Sequence, residues 1–459
     1  MYILASFFSL SCDVETSKPN SAESIDDFNN NFKRAFEAIE YTNECLFITG
    51  KAGTGKSTLL RHFVKNTKKQ CVVLAPTGIA AINVSGATVH SFFRFPFRPL
   101  VDKDEEISKF AKSSSKFKII HKMETLIIDE VSMLRADLID AIDYSLRING
   151  GNMNLPFGGK QVVFFGDLFQ LEPVVQNNEV ERYLFTEYYR SHYFFDAKVF
   201  TQLHMHCIEL RKVYRQTDPD FIKLLDSIRL KNADEHDLRQ LNVRVQKNFE
   251  PGENELYVNL CTRNNTAAGI NEYELRKLGA AEYIYKGLIE DEFSLKQLPT
   301  EQILVLKEGA QIIFIKNNQE GKWVNGTIAK IKKLLPDKIE VQLENGTVEE
   351  VKMETWENKL YRWDADNRRI KSETIGTFKQ YPIKLAWAIT IHKSQGLTFE
   401  KMIVELGGGT FAHGQLYVAL SRCRSLEGMV LREPIQYKDM IIDDRVIDFA
   451  RNFAALEDS

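Results

Sequence analysis

No C-x-x-C pair occurs in this sequence: its six cysteines, Cys12, Cys45, Cys71, Cys207, Cys261 and Cys423, stand singly. That spacing excludes a zinc ribbon or a thioredoxin-like redox pair and fits reduced, mostly buried thiols in a reducing compartment. His204 and His206 alternate as on one strand face, without a third ligand. Also missing is any run of about 18 apolar residues, so no membrane span is expected. The apolar start, MYILASFFSLSC, lacks a basic leading region, and Ser9 stands where a lipoprotein site would carry leucine. Secretion is therefore not expected; the cytoplasm or nucleoid of a bacterium, or the nucleus or mitochondrion of a eukaryote, is. Positive charge is not in excess either, with 60 Lys and Arg against 63 Asp and Glu, a formal net charge of −3. This argues against a protein that coats nucleic acid non-specifically, and leaves room for a single basic groove. Repeats and low-complexity tracts do not occur.

What is present is a long, ordinary globular composition. A chain of 459 residues exceeds the roughly 250 to 300 residues at which one core stops growing, so several domains are expected. A hydrophobic fraction of 44% is enough apolar surface to offset chain entropy, which excludes global disorder. Residues 1–24 read as a lead-in. From 25 to 210, β-branched runs (CLFIT, CVVLAP, TLIIDE, VVFFGD) alternate with helical patterns (STLLRHFVKNT, SMLRADLIDAIDYSL), the signature of a parallel sheet flanked by helices. Pro, Ser and mixed charge at about 95–118 mark a small insert in this first lobe. A second α/β lobe is expected over 211–304 and 382–459, interrupted at 305–381 by short alternating strands with a tight turn at Asn345-Gly346.

The chemistry-bearing residues begin with Gly50-Lys51-Ala52-Gly53-Thr54-Gly55-Lys56-Ser57-Thr58, a phosphate loop between a strand and a helix. Its glycines let backbone N–H groups face the phosphates, Lys56 meets the β- and γ-phosphates of ATP, and Ser57 ligates Mg2+. Asp129-Glu130 ends the apolar strand LIID; the first acid suits the magnesium shell and the second, Glu130, suits a general base. Gln170 follows a third buried strand, where a polar amide would meet the γ-phosphate. Arg215 in VYRQ and Arg422 in LSRCR lie outside the first lobe, and an arginine reaching across a cleft neutralises charge on a transferred phosphoryl group. Thr88-Val89-His90-Ser91-Phe92-Phe93 and Thr390-Ile391-His392-Lys393-Ser394 combine hydroxyls, histidines and, in the first, aromatics, as a strand of nucleic acid would require. Phe93 and Phe95 suit the core equally well.

Taken in order, GKAGTGKS, APTGIAAINVSGATVHSFF, LIIDEVSML, GDLFQLEPV, LRKVYRQ, AITIHKSQGLTF and QLYVALSRCR resemble the motif series of superfamily one B-branch helicases, specifically the petite-integration-frequency (PIF) family, related to RecD. The resemblance spans residues 45–430. It implies two RecA-like lobes in tandem, with an SH3-like β-barrel insert in the second. It also implies a monomeric ATP- and Mg2+-dependent helicase that moves 5′-to-3′ on single-stranded and forked DNA. Carried over by position, Lys56, Ser57, Asp129, Glu130, Gln170, Arg215, Gln395 and Arg422 would line the nucleotide, and Pro76, Thr77, Gly78, His90, Ser91, Phe92, Thr390, His392, Lys393 and Ser394 would follow the DNA. One departure stands out: no glutamine occurs from Ser21 to Glu44, where the family carries the residue that reads adenine, which leaves Asn30, Asn31 or a backbone group for that task. An RNA helicase shares the same phosphate and stacking chemistry, and a small-molecule kinase would explain the phosphate loop but not the second lobe.

Overall fold

A computed structural model describes residues 30–457, apart from 177, 253–254, 296–297, 319, 365–366 and 368; the lead-in 1–24 lies outside the described residues. The first lobe runs α1 (Asn30–Tyr41), β1 (Cys45–Gly50), α2 (Lys56–Asn66), β2 (Cys71–Ala75), α3 (Gly78–Asn83), β3 (Ala87–Thr88), α4 (Val89–Phe93), α5 (Ser115–Lys122), β4 (Thr125–Ile128), α6 (Ala136–Ile148), β5 (Gln161–Phe165), α7 (Glu179–Tyr183) and β6 (Met205–Leu210). Its six strands form one parallel sheet in the order β3-β2-β4-β5-β1-β6. Strands β4 and β5 are buried along their whole length, as Thr-Leu-Ile-Ile and Gln-Val-Val-Phe-Phe require when helices cover both faces. The carboxyl ends of β1, β4 and β5 lie along one sheet edge, where an open α/β sheet binds its ligands.

The second lobe comprises α8 (Pro219–Arg229), α9 (Glu235–Asn242), β7 (Val258–Cys261) and α10 (Asn264–Lys277), and resumes after the insert. Asp218 caps α8 through the Asp220 N–H, with Pro219 at the first turn, the start signal read from DPD. The insert contains β8 (Glu282–Lys286), β9 (Leu288–Asp291), β10 (Ile303–Lys307), β11 (Gln311–Phe314), β12 (Ile328–Leu334), β13 (Ile339–Leu343), β14 (Val348–Val351), β15 (Glu354–Asp364), β16 (Arg369–Gln380) and β17 (Ile383–Leu385). Then follow β18 (Ala388–Thr390), β19 (Met402–Glu405), α11 (Gln415–Leu420), β20 (Met429–Leu431) and α12 (Asp444–Glu457). The lobe's parallel sheet has the order β18-β7-β19-β20.

The insert departs from the sequence reading in extent and closure. Antiparallel structure begins at Glu282, upstream of residue 305, because β8 pairs with β10 and β9 with β16. The main sheet, β14-β13-β12-β11-β17, is antiparallel with open edges and does not close into a barrel. It turns at Asn345-Gly346, where Gly346 adopts φ +83°. The long β15–β16 hairpin reaches back to the first lobe. There Tyr361 OH accepts from Val73 N–H at 3.2 Å and lies 3.3 Å from Val73 C=O, and Gln70 Oε1 accepts from the Ile370 N–H at 2.7 Å. Between α4 and α5, the region read as a small insert is an irregular loop that buries Phe95, Leu100, Ile107 and Phe110. Cys45, Cys71, Cys261 and Cys423 are free thiols; burial pushes Cys45, Cys261 and Cys423 up to about 12. No described helix is long and apolar enough to cross a membrane.

Candidate nucleotide and nucleic-acid site

The phosphate loop curls from β1 into α2 with Gly53 at φ +81° and Gly55 at φ +88°, and a Cβ on Gly53 would sit 2.5 Å from the Arg215 Cβ. Glycine is therefore required there both for conformation and for space. Lys56 Nζ donates to the carbonyls of Gly50 at 2.6 Å and Lys51 at 3.1 Å. Burial lowers the Lys56 pKa, while Asp167 and Glu130 act to hold its charge. Asp129 and Glu130 follow β4. Burial raises both carboxyls above their ordinary range, and each acid also feels a neighbouring one. Glu130 adopts φ +50°, a left-handed conformation that a non-glycine residue takes only where its surroundings enforce it.

Opposite these acids the second lobe contributes Gln395, whose Nε2 donates to Glu130 Oε2 at 3.0 Å and to Gln170 Oε1 at 3.4 Å. Arg422, 1% exposed, donates from Nε to Val418 C=O at 2.9 Å and from Nη2 to Ser421 Oγ at 2.8 Å. Arg215 corrects the sequence reading that placed it on the second lobe. Its backbone lies on the phosphate loop, with Tyr214 N–H donating to Gly53 C=O at 2.8 Å, and only the guanidinium crosses the cleft, to Ser421 C=O at 3.1 Å. Burial lowers Arg215 to about 9, with Arg422 beside it, and Arg422 to about 10. Neither arginine is salt-bridged to a carboxylate among the described residues, although Glu130 favours the charged form of both and Asp167 that of Arg422. Arg422 is buried, and Arg215 and Lys56 half-buried, where the two lobes meet; their hydrogen bonds run to carbonyl and hydroxyl oxygens, partners that an anionic ligand can replace.

The donor set fits a magnesium ion. Ser57 exposes its hydroxyl at the first turn of α2, and the buried Asp129 carboxyl has no basic ion-pair partner among the described residues. No cluster of three His, Cys, Asp or Glu suited to a metal occurs among the described residues, as expected for an ion that takes most of its oxygens from phosphate and water.

Three residues that the sequence did not single out also enter the cleft. Tyr417 OH accepts from the Ala52 N–H at 2.9 Å, Asp226 pairs with Lys51 at 2.5 Å, and Arg229 meets Asp167. Each partner is more than 60 residues away, so no local pattern reveals it. Asn31 donates its amide to Glu209 C=O at 3.2 Å and thereby ties α1 to β6; that engagement weighs against it as the adenine reader.

Of the residues read as following DNA, Pro76, Thr77 and Gly78 leave β2, with Thr77 capping α3 through Ala80 N–H. His90 and Ser91 lie on α4, Ser91 exposed. Phe92 is a correction. It is 1% exposed, its ring carries Lys116 Nζ at 4.0 Å, and it meets Tyr361 edge-on. On α4, Val89, Phe92 and Phe93 share the inward face at i, i+3 and i+4, which leaves no face of Phe92 for a base. The accessible aromatic is Phe97, 86% exposed and stacked on His90 at 4.7 Å with an 8° interplanar angle. Thr390 and Ser394 are buried and serve the turn after β18: Thr390 Oγ1 accepts from Lys393 N–H at 3.4 Å and Ser394 Oγ donates to Ile391 C=O at 2.7 Å. Only Lys393 is exposed there, with His392 half-buried.

The lobes touch tightly at Gly414, φ +68°, where a Cβ would lie 2.4 Å from Gln170 O and 2.5 Å from Phe169 O. Gly414→Ala is expected to destabilise the protein by about 1–3 kcal/mol through overpacking, read as a lowered Tm, and to displace the Gln170 loop. Beside it His413 Nε2 lies 2.7 Å from Leu168 C=O and Nδ1 accepts from Asp443 N–H at 2.9 Å, so the contact requires neutral imidazole. Burial lowers its pKa, against the opposing pull of Glu172, Asp443 and Asp167. The unfolded chain therefore takes up this proton at a higher pH than the folded one, and the contribution of His413 to stability is lost as pH falls below about 6.5. Tm should drop between pH 7.5 and 5.5, and drop less in His413→Gln, whose amide reproduces the donor and acceptor without titrating.

A phosphate loop, an acid pair and buried arginines shared between two RecA-like sheets define the class: a two-lobed ATPase core of the helicase kind. The PIF1-like helicase family profile matches residues 27–239. An ATP-dependent DNA helicase Pif1 of Bdellovibrio bacteriovorus is 31% identical over 90% of either chain, and this chain belongs to the PIF1-like helicase family. The Danio rerio ATP-dependent DNA helicase PIF1 is 33% identical over 84% of this chain and 58% of its own length, so this chain spans under two thirds of that relative. A crystal structure of Bacteroides sp Pif1 in complex with ADP-AlF4 is 38% identical, covers 93% of this chain and 97% of its own, and superposes with a TM-score of 0.87. Bacteroides Pif1 bound to ssDNA superposes at 0.67.

Proposed function

We propose that the chain is an ATP-hydrolysing DNA helicase that translocates 5′-to-3′ on single-stranded DNA and unwinds duplex or structured DNA. The observation that carries this reading is the cationic face of the cleft, with Lys56 on the phosphate loop, Arg215 bonded across to Ser421 and Arg422 buried, beside the Gln395–Glu130 contact that joins the lobes. ATP supplies the matching anion and, by bridging both lobes, makes hydrolysis a consequence of cleft closure. Glu130 accepts a proton from the attacking water, oriented by Gln395 and Gln170; Arg215 and Arg422 neutralise the charge that develops on the phosphoryl group. Ser57 and Asp129 would hold Mg2+, which polarises the β- and γ-phosphate oxygens when bound. Tyr214, 50% exposed beside the phosphate loop, and backbone groups remain for the adenine. The exposed Thr77, Ser91 and Lys393, with His90 on Phe97, form the surface over which the strand moves, each step driven by opening and closing of the cleft. The open β insert acts as an SH3-like module on the second lobe, the protein works as a monomer, and its compartment is the one holding DNA: the nucleoid, or a nucleus or mitochondrion. The solved Bacteroides relative bound to ssDNA supports the choice of strand.

Single-stranded DNA should stimulate ATP hydrolysis strongly, RNA of the same sequence weakly, and forked duplexes should be unwound only from a 5′ tail. Identical hydrolysis with and without oligonucleotide would end the motor reading. Preference for RNA, or for 3′ tails, would overturn the substrate or the direction respectively.

A further inference from the structure

Arg229 closes α8 with a side chain that sequence gives no reason to notice, since a basic residue in the last helical turn usually serves the helix dipole in solvent. Here it is 7% exposed and turned into the cleft. Its Nη2 donates to Asp167 Oδ1 at 3.1 Å and its guanidinium lies 4.2 Å from the centroid of Phe169. Burial opposes charge on both partners, yet their mutual attraction holds the Asp167 carboxyl below and the Arg229 guanidinium above their ordinary ranges. The Nε–H finds no acceptor among the described residues, so the geometry serves Asp167 before it satisfies the arginine's own donors.

Asp167 passes this constraint on. Its Oδ1 also accepts from the Phe169 N–H at 3.2 Å, and its Oδ2 accepts from Gln170 Nε2 at 3.2 Å. Gln170 Oε1 in turn accepts from Gln395 Nε2, which also donates to Glu130 Oε2. Asp226, one turn before Arg229 on the same helix, pairs with Lys51 of the phosphate loop, and α8 packs on α11, the helix that delivers Tyr417 to Ala52 and leads into Arg422. One helix is thus tied to the phosphate loop, to the Gln170 loop and to the arginine-bearing element of the second lobe.

We infer that Arg229 is a positioning residue for ATP hydrolysis: through Asp167, Gln170 and Gln395 it sets the orientation of Glu130, so that the water-activating carboxylate is aligned only when α8 is docked in the cleft. The inference rests on the ATPase reading above and adds to it a residue acting at a distance. A buried ion pair that merely stabilised the fold would change melting behaviour and leave turnover in the folded fraction alone. A positioning role predicts a split between kcat and nucleotide affinity.

The test is steady-state hydrolysis at saturating single-stranded DNA for wild type, Arg229→Gln, Arg229→Lys, Asp167→Asn and the Arg229→Gln/Asp167→Asn pair, with fluorescent ADP affinity and melting curves alongside. Arg229→Gln should lower kcat by about 10- to 100-fold, the usual effect of losing an outer-shell partner, with ADP affinity close to wild type. Arg229→Lys, which keeps the charge but loses the planar fork and the ring contact, should recover part of the rate. The double variant should be no slower than Asp167→Asn alone, because both act through one link. Wild-type kcat in Arg229→Gln, an equal loss in ADP affinity, or effects that multiply in the double variant would each overturn the inference. If Arg229→Gln does not fold, the Arg229→Lys rate decides: a wild-type kcat refutes the positioning role and a reduced kcat with intact ADP affinity supports it. A wild-type protein that hydrolyses no ATP takes down the parent reading as well, which separates the two failures.

Discussion

Arg422→Ala is expected to lower DNA-stimulated kcat by about 10³-fold or more while changing nucleotide affinity far less, since a charge-neutralising arginine in a phosphoryl-transfer site is worth about 10³ to 10⁵ in rate. The side chain is almost wholly buried, and its hydrogen bonds run to its own helix, Val418 C=O and Ser421 Oγ. A guanidinium held this way is presented to the cleft by α11, and burial weakens its hold on the proton against the opposing pull of Tyr417, Glu130 and Asp167. Its charge is therefore most useful when phosphate oxygens gain negative charge, which is late in the reaction rather than on binding. Arg422→Lys should rescue little, because an ammonium on a flexible stem lacks the fixed fork. Turnover at saturating ATP, compared with the Kd of a non-hydrolysable analogue, separates these effects. A loss confined to Kd would assign Arg422 to ground-state binding instead.

The first lobe was legible in sequence because its determinants are local. A strand such as TLII is recognised by three successive apolar residues after a β-branched threonine, a phosphate loop by eight residues, and the acid pair by its place at a strand end. Residues whose role depends on a partner across the cleft were not legible. Arg215 was read as belonging to the second lobe because it follows the last strand of the first, whereas the Tyr214 N–H binds its backbone to Gly53. Phe92 was read as a base-stacking platform because it adjoins His90 and Ser91. Three-residue periodicity on a five-residue helix was too short to reveal that it faces inward with Val89 and Phe93. The insert was recognised by its alternating strands, but its start was placed late, since β8 and β9 are strands only by virtue of partners about 20 and 90 residues on. Tyr417 and Arg229 looked like ordinary helical residues. Their contacts to Ala52 and Asp167 span 365 and 62 positions of sequence.

The same distinction explains why Glu130, the proposed general base, is the most informative single residue to alter. Glu130→Gln should reduce DNA-stimulated turnover by about 10²- to 10⁴-fold, the range for loss of a general base, while ATP still binds. The amide has the size of the carboxylate and its Oε1 can still accept from Gln395 Nε2, so the contact at 3.0 Å between the lobes survives. The left-handed backbone at Glu130 is likewise unaffected by the change. What is lost is the ability to take a proton from water, in a site where burial and neighbouring acids have already raised the carboxyl's affinity for one. Binding without turnover should hold the cleft closed, so the variant ought to form a long-lived complex with ATP and single-stranded DNA that wild type passes through quickly. Single-turnover hydrolysis and DNA dissociation rates in ATP measure both consequences. A variant that still hydrolyses ATP near the wild-type rate would move the general base elsewhere, and with it the reason for the chain of hydrogen bonds that runs from α8 to this residue.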